Sequence, residues 1–260
     1  MKIAVIIKQV PDTETKPNLG PTGLQMSGLK FIMNPYDEFA VEESIKTRDK
    51  FKGDITVFTL GPDRSVEALR TALAMGCDNG VQVQCSEDDL PKIDSYVVAK
   101  ALAAALKQKG PFDVIFAGKQ AIDDDAFAVP QMVAEFLEIP ASTVITKIDW
   151  AADGKSAKVN RQIEGGSEEV ISLPLPAVIA AQNGLNKPRY ASLPGIMKAK
   201  QKKIDVLPLA SLGTGPQDSK VEMMQFELPP ERKAGVKWTG TPEELAQKIV
   251  HALRNEAKVI

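Results

Sequence analysis

The feature that most constrains this chain is an alternation of short strand-like runs with helical segments through its first half. Residues 3–7 are a continuous run rich in β-branched residues, the pattern of a strand buried on both faces inside a parallel sheet, and 55–60, a short 81–83 and 112–117 read as further strands. Between them lie helical compositions: from Pro35 to about Lys50, from Gly61-Pro62-Asp63 to Met75 with Gly76 as an αL cap, and the alanine-rich 95–109. Parallel strands need crossovers, and right-handed crossovers put a ligand site at the carboxyl ends of the strands. The predicted class is α/β, a Rossmann-like parallel sheet.

Asn34 is a predicted helix cap with Pro35 at the first helical position, and Asp37, Glu38, Glu42 and Glu43 form an acidic opening suited to the helix dipole. The loop before it, through Pro11, Pro17, Gly20, Pro21 and Gly23, has a length that is uncommon unless the loop serves a site. From about Ser142, strand-like runs are separated by Asp153-Gly154 and Gly165-Gly166, both hairpin signals, before 177–181 returns to a buried strand. This predicts an antiparallel extension of the sheet. Beyond Lys203 the chain is proline-punctuated, with a strand-like 221–228 and the proline-rich Pro229-Pro230-Glu231-Arg232. Thr241, Pro242 and Glu244 then form a capping box opening a last helix with Leu245, Ile249 and Leu253 on one face.

Several function classes are disfavoured. A net charge of -2 over 260 residues does not suit a dedicated nucleic-acid binder. Cys77 and Cys85 lie eight apart with no C-x-x-C pair, which suggests neither zinc nor disulfides and fits a reducing, cytoplasmic setting. The N-terminal apolar run is too short for a membrane span and lacks a cleavage pattern. His251 is the only histidine, far from any activated serine or cysteine pattern, so no catalytic residue is assigned. Neither G-x-G-x-x-G nor G-x-x-x-x-G-K-[ST] occurs.

Two stretches remain as candidate sites. Residues 118–131 leave a strand and enter a helix, whose N-terminus offers free N–H groups to an anion; Asp123, Asp124 and Asp125 are placed at that entry, either as part of a site or simply as first-turn acids. Residues 185–205 carry Lys187, Arg189, Lys198, Lys200, Lys202 and Lys203 against Asp205, interleaved with Leu193, Ile196 and Met197, with Pro188 and Pro194 forcing a projecting loop and a helical run near Gly195. That is a partner-docking loop, or a solvated basic helix end whose apolar residues tuck inward.

The residues 159–205, with Arg161, Ile163-Glu164-Gly165-Gly166, Leu175-Pro176-Ala177-Val178-Ile179 and Asn186 to Lys203, resemble the signature of electron transfer flavoprotein beta subunits. The likeness extends to Asn34-Pro35-Tyr36-Asp37, Val41-Glu42-Glu43, the stretch 70–76, the run 118–125 and Ala234-Gly235-Val236-Lys237, so it covers nearly the whole chain. It implies an adenine nucleotide alpha hydrolase-like fold, an alpha-subunit partner holding most of an FAD, dehydrogenases as electron donors and a structural AMP in this chain. Carried over by motif, the AMP contacts fall at Ile6, Asn34, Pro35, Tyr36, Asp37, Leu60, Ala121, Ile122, Asp123, Asp124, Asp125, Ala126, Val129, Gln131 and Met132. Partner recognition falls at Leu193, Pro194, Ile196, Met197, Lys198 and Lys200. The expected division is 1–184 as the nucleotide-binding α/β domain, 185–205 as the recognition loop and 206–260 as a C-terminal arm and helix contacting the alpha subunit.

Relatives of the bifurcating kind carry a second FAD in place of AMP and show glycine where this chain has Asp124, so the bulkier acid favours AMP. The chain departs from typical AMP-binding members at Ala126-Phe127-Ala128-Val129-Pro130, where those members have polar side chains that hold the phosphate. A nucleotide-dependent regulator or ligase of the same fold is the second hypothesis. Such ligases show an S-G-G-x-D-S loop where this chain reads Gln9-Val10-Pro11-Asp12-Thr13. A plain interaction scaffold is the third.

Overall fold

The computed structural model describes residues 1–16, 18–20, 23–230 and 234–260; Pro17, Pro21, Glu231 and Arg232 of the stretches above lie outside the described residues. The elements run β1 Lys2–Ile6, β2 Gln9–Pro11, β3 Leu19–Gly20, β4 Gly23–Leu24, β5 Phe31–Met33, α1 Pro35–Phe51, β6 Asp54–Gly61, α2 Val66–Met75, β7 Asn79–Gln84, α3 Ser95–Lys109 and β8 Val114–Gly118. They continue with α4 Val129–Leu137, β9 Ala141–Trp150, β10 Ser156–Gln162, β11 Glu168–Pro174, β12 Ala177–Ala181, α5 Leu193–Gln201, β13 Ile204–Pro208 and α6 Pro242–His251.

Nine strands form one sheet in the order β11-β10-β9-β12-β8-β1-β6-β7-β13. From β9 to β13 neighbours are parallel, whereas β9, β10 and β11 pair antiparallel through turns at 152–155 and 163–167, as the hairpin signals predicted. Continuous apolar strands demand cover on both faces. On one face Val41 and Ile45 of α1, Leu69 and Leu73 of α2 and Ala199 of α5 pack over Ile3, Val5, Val57 and Ile179. On the other, Leu102 and Leu106 of α3 and Val133 and Ala134 of α4 pack over Ala4, Phe58, Ile115 and Val178. β1 is flanked by β6 and β8, so the winding direction reverses beside it, and a crevice is expected at the carboxyl ends there.

Several expectations are corrected. Residues 221–228 pair with no strand among those described; the strand in this region is β13, parallel to β7 from Ile204↔Gly80 to Pro208↔Gln84. As an edge strand with one neighbour it tolerates Pro208 and a half-buried Asp205, the latter paired with Lys109 at 2.7 Å. β13 also straddles the boundary drawn at residue 205. Gly76 does close α2, but at φ 133°, ψ 7°, outside the αL region. The capping box of α6 is present: Thr241 Oγ1 accepts from Glu244 N and Glu244 Oε2 accepts from Thr241 N at 3.0 Å. No helix among the described residues is long and apolar enough to cross a membrane.

Candidate functional site

At the carboxyl ends of β1 and β8 the loops are tied together by the buried Asn34 and Asp37. Asn34 precedes α1 but makes no cap bond; instead its Nδ2 donates to Gln120 O at 2.8 Å and its Oδ1 accepts from Ile122 N at 3.1 Å. The predicted cap is a bridge to the loop after β8. Asp37, buried, accepts from Lys8 N at 2.7 Å and Gly118 N at 3.0 Å, which ties the ends of β1 and β8 to the first turn of α1. Burial pushes its carboxyl up to about 7, against the opposing pull of these N–H groups and of Asn34. The approach is close: a Cβ on Gly118 would stand 2.3 Å from Asp37 Oδ1 and 2.7 Å from the Tyr36 carbonyl carbon. Lys119 Nζ lies 4.9 Å from the centre of the Tyr36 ring.

The three aspartates do not open a helix, because α4 begins only at Val129. Asp123 and Asp124 are held by Lys8 Nζ at 2.8 and 3.2 Å, Asp124 Oδ1 accepts from Ala126 N, and Asp125, at φ 54°, accepts from Gln120 Nε2 at 2.7 Å. Ala121 N closes the loop on Ala126 O at 3.1 Å. Pro130 does occupy the first turn of α4, as its lack of a donor allows.

Ile6, Leu60, Val129 and Met132 belong to one apolar cluster, and Ala121 and Ile122 are half-buried nearby on the loop that Asn34 holds. Gln131 donates through Nε2 to Phe127 O at 3.2 Å, while its Oε1 is buried without a partner. Apolar walls and an unmet acceptor fit an adenosine. The phosphate end is poorer: Ala126, Phe127, Ala128, Val129 and Pro130 bring no side-chain donor and Asp123 and Asp124 are paired with Lys8, so backbone N–H groups of the first α4 turn are the donors left. A cleft of about 680 Å³ lies elsewhere, at the carboxyl ends of β6, β7 and β13 between Asp63, Glu87, Leu209 and Thr214, and includes none of these residues. Cys85 lines it, and burial pushes the free thiols of Cys77 and Cys85 up to about 12 and about 11.

The basic stretch forms α5, capped by Ser192, whose Oγ accepts from Gly195 N at 3.2 Å, so the helix starts at Leu193 rather than Gly195. Leu193, Ile196 and Met197 are 74%, 39% and 55% exposed, which excludes the inward-tucked reading; Pro194, Lys198 and Lys200 are exposed beside them. Two of the six cations are engaged by the chain itself. Arg189 grips the buried Glu42 through Nε at 2.7 Å and Nη2 at 2.9 Å, and Lys202 Nζ donates to Cys77 O. Asn186 Nδ2 donates to Phe39 O and Glu43 Oε2, and Arg70 Nη1 donates to Ala199 O and Lys202 O at the far end of α5.

Ala199 is the sole buried residue of α5. One buried methyl contributes only about 0.8 kcal/mol, against about 1.5–3 kcal/mol for each hydrogen bond to a charged group. The polar grips therefore hold this helix. Glu42, Glu43, Asn186 and Arg70 are the residues that sequence reading missed in this role. The signal was present: Glu42 and Ile45 are three apart, on one helix face that enters the core.

The C-terminal segment is tethered at Asp94, whose Oδ1 accepts from Val97 N to cap α3 and whose Oδ2 accepts from Lys220 N and Val221 N at 2.6 and 3.0 Å. Burial alone raises the Asp94 carboxyl, yet these backbone donors outweigh it and hold the group below its usual range. Beyond it Val221, Met223, Met224, Leu228, Val236, Ile249 and Leu253 are exposed, and Leu245 is half-buried.

The electron transfer flavoprotein domain family matches residues 23–212. The chain is 42% identical over 262 residues, all of both chains, to the "Electron transfer flavoprotein subunit beta" of Bacillus subtilis (strain 168). It is 40% identical over 252 residues, 96% of each chain, to that of Homo sapiens, and 38% identical over 263 residues, all of both chains, to the mitochondrial one of Arabidopsis thaliana. With the sheet, the Asn34 and Asp37 tethers and the exposed α5 in place, this full-length likeness means that the chain belongs to the electron transfer flavoprotein beta-subunit family.

Proposed function

We propose that this chain pairs with an electron transfer flavoprotein alpha subunit that holds most of an FAD, and that the pair carries electrons from dehydrogenases, such as acyl-CoA dehydrogenases, to a downstream acceptor. The full-length match to subunit beta chains carries this reading. The flavin supplies the redox chemistry when bound. This chain's tasks are to wall it, to hold an adenine nucleotide and to dock the donor. The crevice of Ile6, Leu60, Ala121, Ile122, Val129 and Met132 takes AMP, with Asp124 standing where a dinucleotide would extend. α5 meets the donor with Leu193 as an anchor inside a rim of Lys198 and Lys200. The uncovered apolar residues of 221–260 support an arm that wraps the alpha subunit.

The test is co-purification with the alpha subunit, followed by absorbance spectroscopy and chromatography of the nucleotides released on denaturation. The reading expects yellow protein with one FAD per pair and any second nucleotide a monophosphate. Colourless protein rejects it, and two FAD per pair moves the complex to the bifurcating kind.

A further inference from the structure

The docking surface sits on a helix with little hold of its own. Seven of nine α5 residues are exposed, the approach from β12 carries no regular structure, and Tyr190 on that approach is 97% exposed. A surface so placed presents Leu193 reproducibly only if something outside α5 fixes it.

Two grips do so. At the approach, the buried Glu42 takes Arg189 by both prongs and also accepts from Arg189 N at 3.2 Å, so side chain and backbone are fixed by one carboxylate. Glu43, one residue on, takes Asn186 at 3.0 Å and Lys46 at 3.1 Å. At the far end Arg70 binds two carbonyls, Ala199 O and Lys202 O. Between them Gly195 lies against α2, where a Cβ would stand 2.5 Å from Ala74 O. Leu193 is four residues from Arg189, so the position of the first turn follows that of the guanidinium.

We infer that Glu42, acting through Arg189, is a positioning residue for electron-donor docking: it fixes the place from which α5 offers Leu193 to a partner dehydrogenase, without touching flavin or donor itself. The inference rests on the docking reading above. It adds that affinity for the donor is set partly from α1, beneath the surface that makes contact.

The test uses the purified alpha–beta complex and an acyl-CoA dehydrogenase with its substrate, reading flavin reduction against dehydrogenase concentration. Glu42→Gln keeps the shape and removes the charge. It is expected to raise the KM for the dehydrogenase about tenfold, with the maximal rate and FAD content within about twofold of the unaltered complex. Arg189→Lys, which keeps the charge and loses the two-pronged contact, is expected to move KM the same way and serves if the first variant fails to assemble. In a Leu193→Ala background, Glu42→Gln should add less than about twofold, because the contact it positions is gone. An additive effect in that background, or an unchanged KM while Leu193→Ala raises it, overturns the inference alone. An unaltered complex that carries FAD yet takes no electrons from the dehydrogenase overturns the docking reading, and this inference with it.

Discussion

Asp37 gives a pH signature that can be worked from the structure. Its carboxyl is buried, and burial raises it from 3.8 to about 7. A gap of about three, at about 1.4 kcal/mol each, is worth about 4 kcal/mol. The sign follows from proton counting: between pH 4 and 7 the folded state holds a proton that the unfolded state has released, so stability is fully present below about pH 4 and is lost as pH rises through about 7. Asp37→Asn removes the titration. At low pH a protonated carboxyl still has an oxygen to accept from each of Lys8 N and Gly118 N, whereas a carboxamide has one acceptor oxygen and turns its NH2 toward the other N–H, so the variant should start about 1–3 kcal/mol less stable. Between about pH 4 and pH 8 the difference should then move in the variant's favour by about 4 kcal/mol. Urea midpoints of both chains from pH 4.5 to 8.5 measure the difference. Asp205 and Asp218, held below the usual carboxylate range by Lys109 and Thr214, titrate in both and cancel. A difference that is flat, or that favours wild type increasingly with pH, would show that the two N–H bonds outweigh desolvation and that Asp37 is ionised throughout.

Gly118→Ala puts a Cβ 2.3 Å from Asp37 Oδ1 with the Tyr36 backbone behind it, and should cost about 1–3 kcal/mol in thermal or urea unfolding; an unchanged midpoint would mean that α1 can retreat from β8. Asp94→Ala removes the α3 cap and the tether of the arm together. It should cost about 0.5–2 kcal/mol and speed protease cleavage after Lys220, and equal cleavage rates would place the tether elsewhere. Truncation after Gly240 deletes Thr241, α6 and the residues beyond it, so the stability of the isolated chain should stay within about 0.5 kcal/mol of wild type. The same truncation should abolish co-purification with the alpha subunit; unfolding or aggregation of the truncated chain alone would show that α6 belongs to its core.

What the sequence announces and what it hides follow from how many neighbours a residue has along the chain. β1, β6, β8 and β12 are visible because a strand with neighbours on both sides and helices on both faces has to be apolar throughout, and α3 because 95–109 is a run of helix formers. β13 has one neighbour and half-exposed residues, so its apolar content is diluted beside the lysines of α5, while 221–228 has strand composition and no strand to pair with. The polar residues mislead in a consistent direction. Asn34, Glu42 and Glu43 read as local helix-end devices, yet their partners Gln120, Arg189 and Asn186 lie 86, 147 and 143 residues away. A side-chain oxygen satisfied locally and one satisfied across the fold look alike in one dimension. They differ in the company they keep: an acid flanked by Val41 and Ile45 at core-facing positions needs a polar partner there, and Arg189 supplies it from a distant part of the chain. In the sequence Arg189 reads as one of six cations in 185–205. Pairing the apparently misplaced acid on α1 with the apparently surplus cation points to a tie between α1 and the approach to α5, while α5 itself lies on α2.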